Sequence, residues 1–335
     1  MSGSKMPMKE LLGHLERLVQ EHLPLWDLPQ DARARLINVS ENFTYLVEGA
    51  GGFRAVLRVH RENYHSLRAI ECELAWADDL RKEGRIRTPK YILGKDGNAV
   101  QTGQVAGLQK PRFMVLFEYF EGNSPAQTGD MRKGFEDLGR LAAHCHSHVQ
   151  TWPKPQPFER LTWDAEAVFG SQATWGDWRD APEVTQAVKE VLERVERVIC
   201  ERLEAFGHGP ERYDLIHADM RLANLLVDQK RTNLIDFDDC GWGWFMYDFA
   251  AAISFMEDDP RVPHLKSSWL SGYRSVRPLS EADEAEIPTF VMLRRMALLA
   301  WIGSHIEAPE PQALAPGFAS VTADLGISYL RDIEL

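Results

Sequence analysis

The sequence has 335 residues, of which 44% are hydrophobic and 26% are charged, and its formal net charge at pH 7 is -12. This composition is typical of a globular chain and excludes an intrinsically disordered one, while the acidic balance argues against a nucleic-acid partner, whose phosphates require a basic surface. No apolar run approaches the roughly 20 residues that a membrane span needs, and the N-terminus lacks the apolar stretch of a secretion signal, so we expect a cytoplasmic protein without a membrane partner.

The first third of the chain combines helical periodicity with short β-rich runs. Leucines at helical spacing from Met8 to about Leu25 predict an amphipathic helix. Strands are predicted over 43–47 and 53–59, and the glycine-rich segment between them is typical of a hairpin. A second helix is predicted over 66–83.

Three further strands are predicted before the pattern changes. The runs 91–93 and 99–101 flank the turn Asp96-Gly-Asn98 and predict a strand pair. The continuous apolar run 113–117 predicts a strand in the middle of the sheet. The β-rich part of the chain ends near residues 118–125.

Helical periodicity dominates the remainder of the chain. Helices are predicted over 135–149, 183–206, 246–255, 263–273 and 287–305. Extended runs are reduced to 215–216, 225–227 and 233–235. The sequence therefore predicts an α+β fold, with a small antiparallel sheet first and a larger helical part after it.

One segment combines the residues that phosphoryl transfer requires. His217-Ala-Asp219 is followed, five positions after the aspartate, by Asn224. Protein kinases use the same spacing, in which the aspartate is the catalytic base and the asparagine binds Mg²⁺. The apolar runs on either side of the turn 228–232 predict a hairpin that carries Asp236, in Asp236-Phe-Asp rather than Asp-Phe-Gly, to a place beside Asn224. The segment predicts an ATP- and Mg²⁺-dependent kinase, with Asp219 as base, Asn224 and Asp236 as metal ligands, and His217 as a structural support of the loop.

With these motifs the chain resembles the aminoglycoside phosphotransferase and choline kinase superfamily, which includes kinase-like homoserine kinases and the stress response kinase A group. The resemblance covers about residues 36–305. It implies a two-lobed protein-kinase-like fold, in which residues 1–35 form a helix packed on the first lobe, 36–120 form the nucleotide-binding lobe and 121–335 form the catalytic and substrate lobe. It also implies ATP and Mg²⁺ as cofactors and a small-molecule acceptor as partner.

The resemblance assigns nucleotide-binding residues outside the motif. Arg58 lies in the third strand, where protein kinases carry a lysine that contacts the α- and β-phosphates. Glu73 matches the helix glutamate that pairs with this cation, and Glu71 is the alternative if the register differs by two. The segment that begins at Glu118 is similar to the hinge, so we expect Glu118 and Phe120 beside the adenine.

Two loops complete the expected site. The segment 40–45 contains no glycine, and no P-loop motif occurs, so Ser40 and backbone amides are expected to cover the phosphates. Arg221 stands where protein kinases place a lysine after the base, and it is interpreted either as the cation that neutralises the transferred phosphoryl group or as a structural arginine. Asp248 matches an aspartate that supports the catalytic loop, and we expect it to cap its helix.

The leading hypothesis is transfer of the γ-phosphoryl group of ATP to a hydroxyl of an amino alcohol, amino acid, sugar or aminoglycoside. A protein Ser/Thr kinase of the stress response kinase A type is the alternative, but no A-P-E activation segment follows Asp236. An inactive kinase-like binding module is a second alternative, and the complete set of Asp219, Asn224 and Asp236 argues against it. The sequence leaves the acceptor and the choice between ATP and GTP open.

Overall fold

The computed structural model describes residues 6–40, 42–125, 131–228 and 231–333. The chain divides into two compact units. The N-terminal unit comprises Met1–Lys82, Thr88–Glu121 and Pro155–Glu159, and the C-terminal unit comprises Glu83–Arg87, Gly122–Lys154 and Arg160–Leu335. Within the described ranges, no helix has the length and apolar character needed to cross a bilayer.

The N-terminal unit is built on a six-stranded antiparallel sheet with the order β1-β2-β3-β6-β4, in which β5 also pairs with β6. Its strands and helices are α1 (Met8–His22), β1 (Arg33–Val39), β2 (Phe43–Gly49), β3 (Phe53–Val59), α2 (Leu67–Glu83), β4 (Tyr91–Ile92), β5 (Val100–Gly103) and β6 (Arg112–Glu118). The predicted hairpin is confirmed, since Gly49 pairs with Phe53 at its turn. The predicted pairing of 91–93 with 99–101 is wrong, because the seven-residue edge of β6 binds β4 and β5 one after the other.

Successive side chains of β3 and β6 point to opposite faces of the sheet, and each face packs against a different helix. Leu57 and Val59 lie in the apolar cluster that contains the buried face of α1. Val115 of β6 instead packs with Leu74 of α2. Because successive side chains of a strand point to opposite faces, Arg58 lies on the face that α2 covers.

The C-terminal unit is mainly helical, which confirms the predicted α+β class. Its elements are α3 (Met131–Val149), β7 (Leu161–Thr162), α4 (Ala165–Phe169), α5 (Gln186–Phe206), β8 (Tyr213–Ile216), β9 (Leu225–Asp228), β10 (Arg231–Leu234), β11 (Gly241–Trp244), α6 (Tyr247–Ala252), α7 (Val262–Arg274), α8 (Glu281–Ala285), α9 (Ile287–Ser304), α10 (Pro309–Leu314) and α11 (Phe318–Ile333). The helix predicted over 246–255 is shorter, because the chain turns after Ala252 and Phe255 adopts a left-handed φ of 68°.

Two small sheets fix the ends of the segment 217–224. Strand β8 pairs with β11, which also pairs in parallel with β7, and β8 ends directly before His217. Strands β9 and β10 form the predicted hairpin, and β9 begins directly after Asn224. The turn of this hairpin was predicted over 228–232, of which residues 229 and 230 lie outside the described ranges. Hydrogen-bonded strands therefore hold the segment at both ends.

Helices α3 and α7 approach each other closely through two glycines. A Cβ atom on Gly139 would lie 1.9 Å from the carbonyl oxygen of Trp269, and one on Gly272 would lie 1.9 Å from that of Glu136. Only glycine permits such a contact between backbones. The close packing brings His146 of α3 within hydrogen-bond distance of Tyr273 of α7.

Candidate active site

Asp219 is held by three side chains of the C-terminal unit. Its Oδ2 accepts a hydrogen bond from Asn224 Nδ2 at 2.7 Å and one from Arg221 Nε at 3.3 Å. Its Oδ1 accepts one from Arg294 Nη2 at 3.1 Å. The side chain is 14% exposed. These three donors fix the orientation of the Asp219 carboxylate.

The predicted metal ligands Asn224 and Asp236 lie at the open end of the β9–β10 hairpin, where Asn224 precedes β9 and Asp236 follows β10. The backbone N–H of Ile235 donates to the carbonyl oxygen of Asn224 at 3.0 Å. The amide nitrogen of Asn224 donates to the backbone and side-chain oxygens of Asp219, so its Oδ1 remains as an oxygen ligand. Asp236 is exposed and adopts a left-handed φ of 64°. A carboxylate and an amide oxygen are the ligand types that Mg²⁺ prefers, so both residues fit a hard divalent cation.

His217 connects the segment 217–224 to Ile235, the residue directly before Asp236. Its Nε2 lies 3.2 Å from the carbonyl oxygen of Ile235, and its Nδ1 accepts the backbone N–H of Asp219 at 3.4 Å. These contacts are consistent with a neutral ring protonated at Nε2. The ring also packs against Phe237, with 4.6 Å between the ring centroids. His217 is thus placed to support the loop.

Asp248 of α6 anchors the backbone at the start of the segment 217–224. Its Oδ1 accepts the backbone N–H of Ala218 at 2.7 Å, and its Oδ2 accepts that of His217 at 3.2 Å. The prediction that Asp248 caps its helix is wrong, since α6 begins at Tyr247 and Asp248 lies inside the first turn. Its carboxylate points away from its own helix toward Ala218, whose left-handed φ of 63° is a conformation that a residue with a Cβ rarely adopts.

A buried histidine contributes the third hydrogen bond to Asp248. His146 Nε2 lies 2.9 Å from Asp248 Oδ2, and its Nδ1 lies 3.0 Å from the hydroxyl of Tyr273. Both His146 and Asp248 are fully buried. Burial lowers the pKa of His146 below its ordinary value of 6.5, and the opposing effect of Asp248 is smaller.

We therefore expect the free energy of unfolding to fall as the pH is lowered through 6.5. His146 stays neutral in the folded state while it takes up a proton in the unfolded state, so the unfolded state binds more protons and acid favours unfolding. Each unit between the two pKa values is worth about 1.4 kcal/mol. Urea unfolding at pH 7.5 and 5.5 checks this, and His146→Gln should show a smaller loss between the two pH values. The exposed His264→Gln is the control and should lose as much as the wild type.

The two arginines on Asp219 differ in their surroundings. Arg221 is 31% exposed, and its guanidinium lies 5.8 Å from the ring centroid of Phe255. Asp219 raises the pKa of Arg221, against the effect of burial. Arg294 of α9 is only 2% exposed, and its guanidinium carbon lies 5.9 Å from the ring centroid of Trp163 and 5.1 Å from that of Trp175. The guanidinium of Arg294 therefore packs against a pair of tryptophan rings that are themselves in contact, with 4.7 Å between their centroids.

In the N-terminal unit, Arg58 is paired with Glu73. Arg58 Nη2 donates to Glu73 Oε1 at 2.6 Å, and both side chains are buried. Glu71, the alternative partner, is exposed and accepts a hydrogen bond from Arg68 at 3.3 Å. The alternation of β3 and the spacing of Glu73 from the buried Ile70 of α2 explain why the pair forms inside the unit.

The other expected nucleotide-binding residues lie at loop and strand ends of the N-terminal unit. The carbonyl oxygen of Ser40 accepts a hydrogen bond from Arg61 Nη2 at 2.9 Å, while Glu41 in the same loop lies outside the described ranges. Glu118 is the last residue of β6, and its backbone N–H donates to the carbonyl oxygen of Lys90 at 2.8 Å. Phe120 follows and is half-buried.

Arg294, which lies 75 residues from Asp219 in the chain, is not predicted by any motif of the sequence. A signal was present, since Arg294 and Arg295 interrupt the otherwise apolar run 290–302 in α9. A buried arginine requires an acceptor, so each of the two predicts a partner elsewhere in the fold. Arg160 is not predicted from the sequence either. Its guanidinium donates to the carbonyl oxygens of Asp238 and Cys240 and so holds the segment after Asp236.

The chain is similar to known phosphotransferases in sequence and in fold. The model of the "Phosphotransferase enzyme family" matches residues 33–279. A solved structure described as the microcompartment-associated aminopropanol kinase is 43% identical, has a TM-score of 0.87, and covers 94% of this chain and 98% of that chain. Amicoumacin kinase hAmiN, solved with AMP-PNP, Ca²⁺ and Ami, has a TM-score of 0.76 at 21% identity, over 95% of this chain and 96% of that chain. These neighbours confirm the kinase-like fold.

Curated relatives carry kinase names as well. Amicoumacin kinase of Bacillus subtilis is 24% identical over 297 residues, which is 85% of this chain and 84% of the relative. Hydroxylysine kinase of Danio rerio is 29% identical over 227 residues, which is 64% of this chain and 61% of the relative. The chain therefore belongs to the phosphotransferase enzyme family and is a small-molecule phosphotransferase of the kinase type.

Proposed function

We propose that the chain transfers the γ-phosphoryl group of ATP to the hydroxyl of a small amino alcohol of the aminopropanol type. The observation that carries the proposal is the oriented carboxylate of Asp219, which is held by Asn224, Arg221 and Arg294. The amino alcohol is supported by 43% identity to an aminopropanol kinase over nearly the whole chain. A donor set built around one aspartate fits positioning and charge neutralisation, which account for most of the catalysis in phosphoryl transfer.

Asp219 acts as the base in this mechanism. It takes the proton of the acceptor hydroxyl while the acceptor oxygen bonds to the γ-phosphorus and the bond between that phosphorus and the leaving oxygen of ADP breaks. Arg221 neutralises charge on the transferred group from its half-exposed position. Asn224 Oδ1 and the carboxylate of Asp236 would hold Mg²⁺, which would supply charge neutralisation of the phosphate oxygens when bound.

The nucleotide is held by the N-terminal unit. Arg58, oriented by Glu73, contacts the α- and β-phosphates of ATP. Ser40 and its neighbouring backbone cover the phosphates, and the segment containing Glu118 and Phe120 meets the adenine. The backbone N–H of Glu118 already donates to the carbonyl oxygen of Lys90. Other backbone groups of this segment therefore serve as the hydrogen-bond partners of the adenine.

The test is ADP release by the purified chain with ATP, Mg²⁺ and a panel of acceptors. We expect turnover with aminopropanol and at least a tenfold lower kcat/KM with choline, because the trimethylammonium group of choline lacks the N–H donors that a primary ammonium offers to a site that hydrogen-bonds it. Homoserine, hydroxylysine and an aminoglycoside complete the panel, and EDTA should abolish the reaction.

Two results would contradict the proposed small-molecule kinase activity, and a third would contradict the proposed acceptor. Labelling of generic protein substrates by radioactive ATP, without turnover of any small acceptor, would identify a protein kinase. ATP binding without consumption of ATP under any of these conditions would identify a binding module. Turnover of a different small acceptor in preference to aminopropanol would keep the kinase mechanism and replace the substrate class.

A further inference from the structure

Arg294 makes a contact with Asp219 that differs in kind from that of Arg221. Its Nη2 donates to Oδ1 of Asp219 at 3.1 Å, and its Nε donates to the hydroxyl of Ser254 at 3.1 Å. The two hydrogen bonds fix both ends of the guanidinium. Ser254 belongs to the turn that follows α6, the helix whose Asp248 anchors the backbone of His217 and Ala218.

The guanidinium of Arg294 cannot leave this position without moving the core. The side chain is 2% exposed, and its guanidinium carbon lies within 6 Å of the ring centroids of Trp163, Trp175 and Tyr247. Burial by itself lowers the pKa of Arg294, but Tyr247, Asp219 and Asp239 raise it overall. Arg294 is therefore a permanent and immobile cation beside Asp219.

The hydrogen bonds divide the two oxygens of Asp219 unequally. Oδ2 accepts from both Asn224 and Arg221, whereas Oδ1 accepts from Arg294 alone among the described residues. A carboxylate oxygen offers about two acceptor positions. The oxygen bound to Arg294 therefore retains the acceptor position that an incoming hydroxyl can use.

We propose that Arg294 is a positioning residue that holds Asp219 through Oδ1 and leaves the second lone pair of that oxygen to take the proton of the acceptor. The inference rests on the proposed role of Asp219 as the base. Arg294 touches neither the acceptor nor the nucleotide, and it acts through Asp219. Arg221, half-exposed and hydrogen-bonded to Oδ2, remains the cation for the phosphoryl group.

The neighbouring Arg295 provides a matched control. It lies next to Arg294 on α9 and is as deeply buried, but it donates to Glu257 at 2.6 Å and to Thr322 at 2.8 Å instead of Asp219. Arg294→Met and Arg295→Met thus remove the same charge from the same helix. Only the first removes a contact of Asp219.

The experiment measures kcat, KM for ATP and KM for aminopropanol in both variants, with thermal unfolding as a check of the fold. We expect Arg294→Met to lower kcat about 100-fold, with both KM values within about threefold of the wild type. Arg295→Met should lower the Tm and keep kcat within about threefold of the wild type below its Tm. If Arg294→Met does not fold, Arg294→Lys is measured instead, and a loss of kcat of at least about tenfold is expected because an ammonium cannot reach Ser254 and Asp219 together.

A double-mutant cycle with Asp219→Asn separates this inference from the proposed function. In the Asp219→Asn background, Arg294→Met should have almost no further effect on kcat, since both changes disable one unit. An unchanged kcat in Arg294→Met, or an equal loss in Arg295→Met, overturns the role of Arg294 while Asp219→Asn remains inactive. Full activity in Asp219→Asn overturns the proposed function itself.

Discussion

Replacing Asp219 by asparagine is expected to lower kcat about 1,000-fold, a loss within the range for removal of a general base. The substitution keeps the shape of the side chain but removes its ability to take a proton. It also places an NH₂ group among three donors, from Asn224, Arg221 and Arg294, where only acceptors fit. KM for ATP should change by less than about threefold, because the residues expected to bind the nucleotide lie in the N-terminal unit. Steady-state measurement of ADP release with saturating aminopropanol and Mg²⁺ checks the prediction.

The exposed Asp324 of α11 supplies a control for the chemical change alone. Asp324→Asn removes one negative charge from the same unit and should leave kcat unchanged. If Asp219→Asn retains more than about a tenth of the wild-type kcat, the proton of the acceptor is taken up elsewhere and Asp219 serves only to orient the loop. Thermal unfolding of both variants distinguishes this outcome from a loss of folded protein.

Most of the fold follows from patterns that depend on neighbouring residues. Helix α1 and the β2–β3 hairpin were predicted because periodicity and a glycine-rich turn are local signals. Strand β1 was missed, since none of its residues is fully buried and a register shift between Leu36 and Asn38 interrupts its alternation of exposed and half-buried residues. The pairing of β4 and β5 was predicted wrongly, because proximity in sequence favours a hairpin whereas the long edge of β6 binds both. Helix α11 was missed although Phe318, Thr322 and Tyr329 form a buried face at roughly helical spacing.

The residues of the candidate site also divide into those that local sequence patterns predict and those that only long-range packing brings together. The order Asp219, Asn224 and Asp236 can be read from the sequence, because one loop and one hairpin bring these residues together. Arg294 and His146 reach the site from distant helices, and only the packing of α3 and α9 in the C-terminal unit reveals them. Long-range partners of this kind leave one local signal in the sequence, which is a polar residue in an otherwise apolar stretch.

Asp248→Asn should both destabilise the protein and disable the catalytic loop. Asp248 is fully buried, and its two oxygens accept hydrogen bonds from the backbone of His217 and Ala218 and from the ring of His146. An asparagine would turn a donor toward at least one of these donors. Loss of a buried carboxylate that satisfies several donors is expected to cost about 3 kcal/mol of unfolding free energy. Release of the left-handed Ala218 should displace Asp219 and lower kcat about 100-fold.

Urea unfolding and steady-state kinetics measure the two effects separately, and Asp164→Asn is the matched control. Asp164 also accepts a backbone N–H, from Ala167 at 2.8 Å, but it does so as the N-cap of α4. Asparagine caps a helix about as well as aspartate, so this variant should keep both its stability and its activity. The two substitutions are chemically identical, and the two sites differ in the number of donors that the carboxylate satisfies and in its burial, which is complete for Asp248 and partial for Asp164. If Asp248→Asn lowers the stability but leaves kcat unchanged, the carboxylate supports the core of the C-terminal unit without setting the position of Asp219.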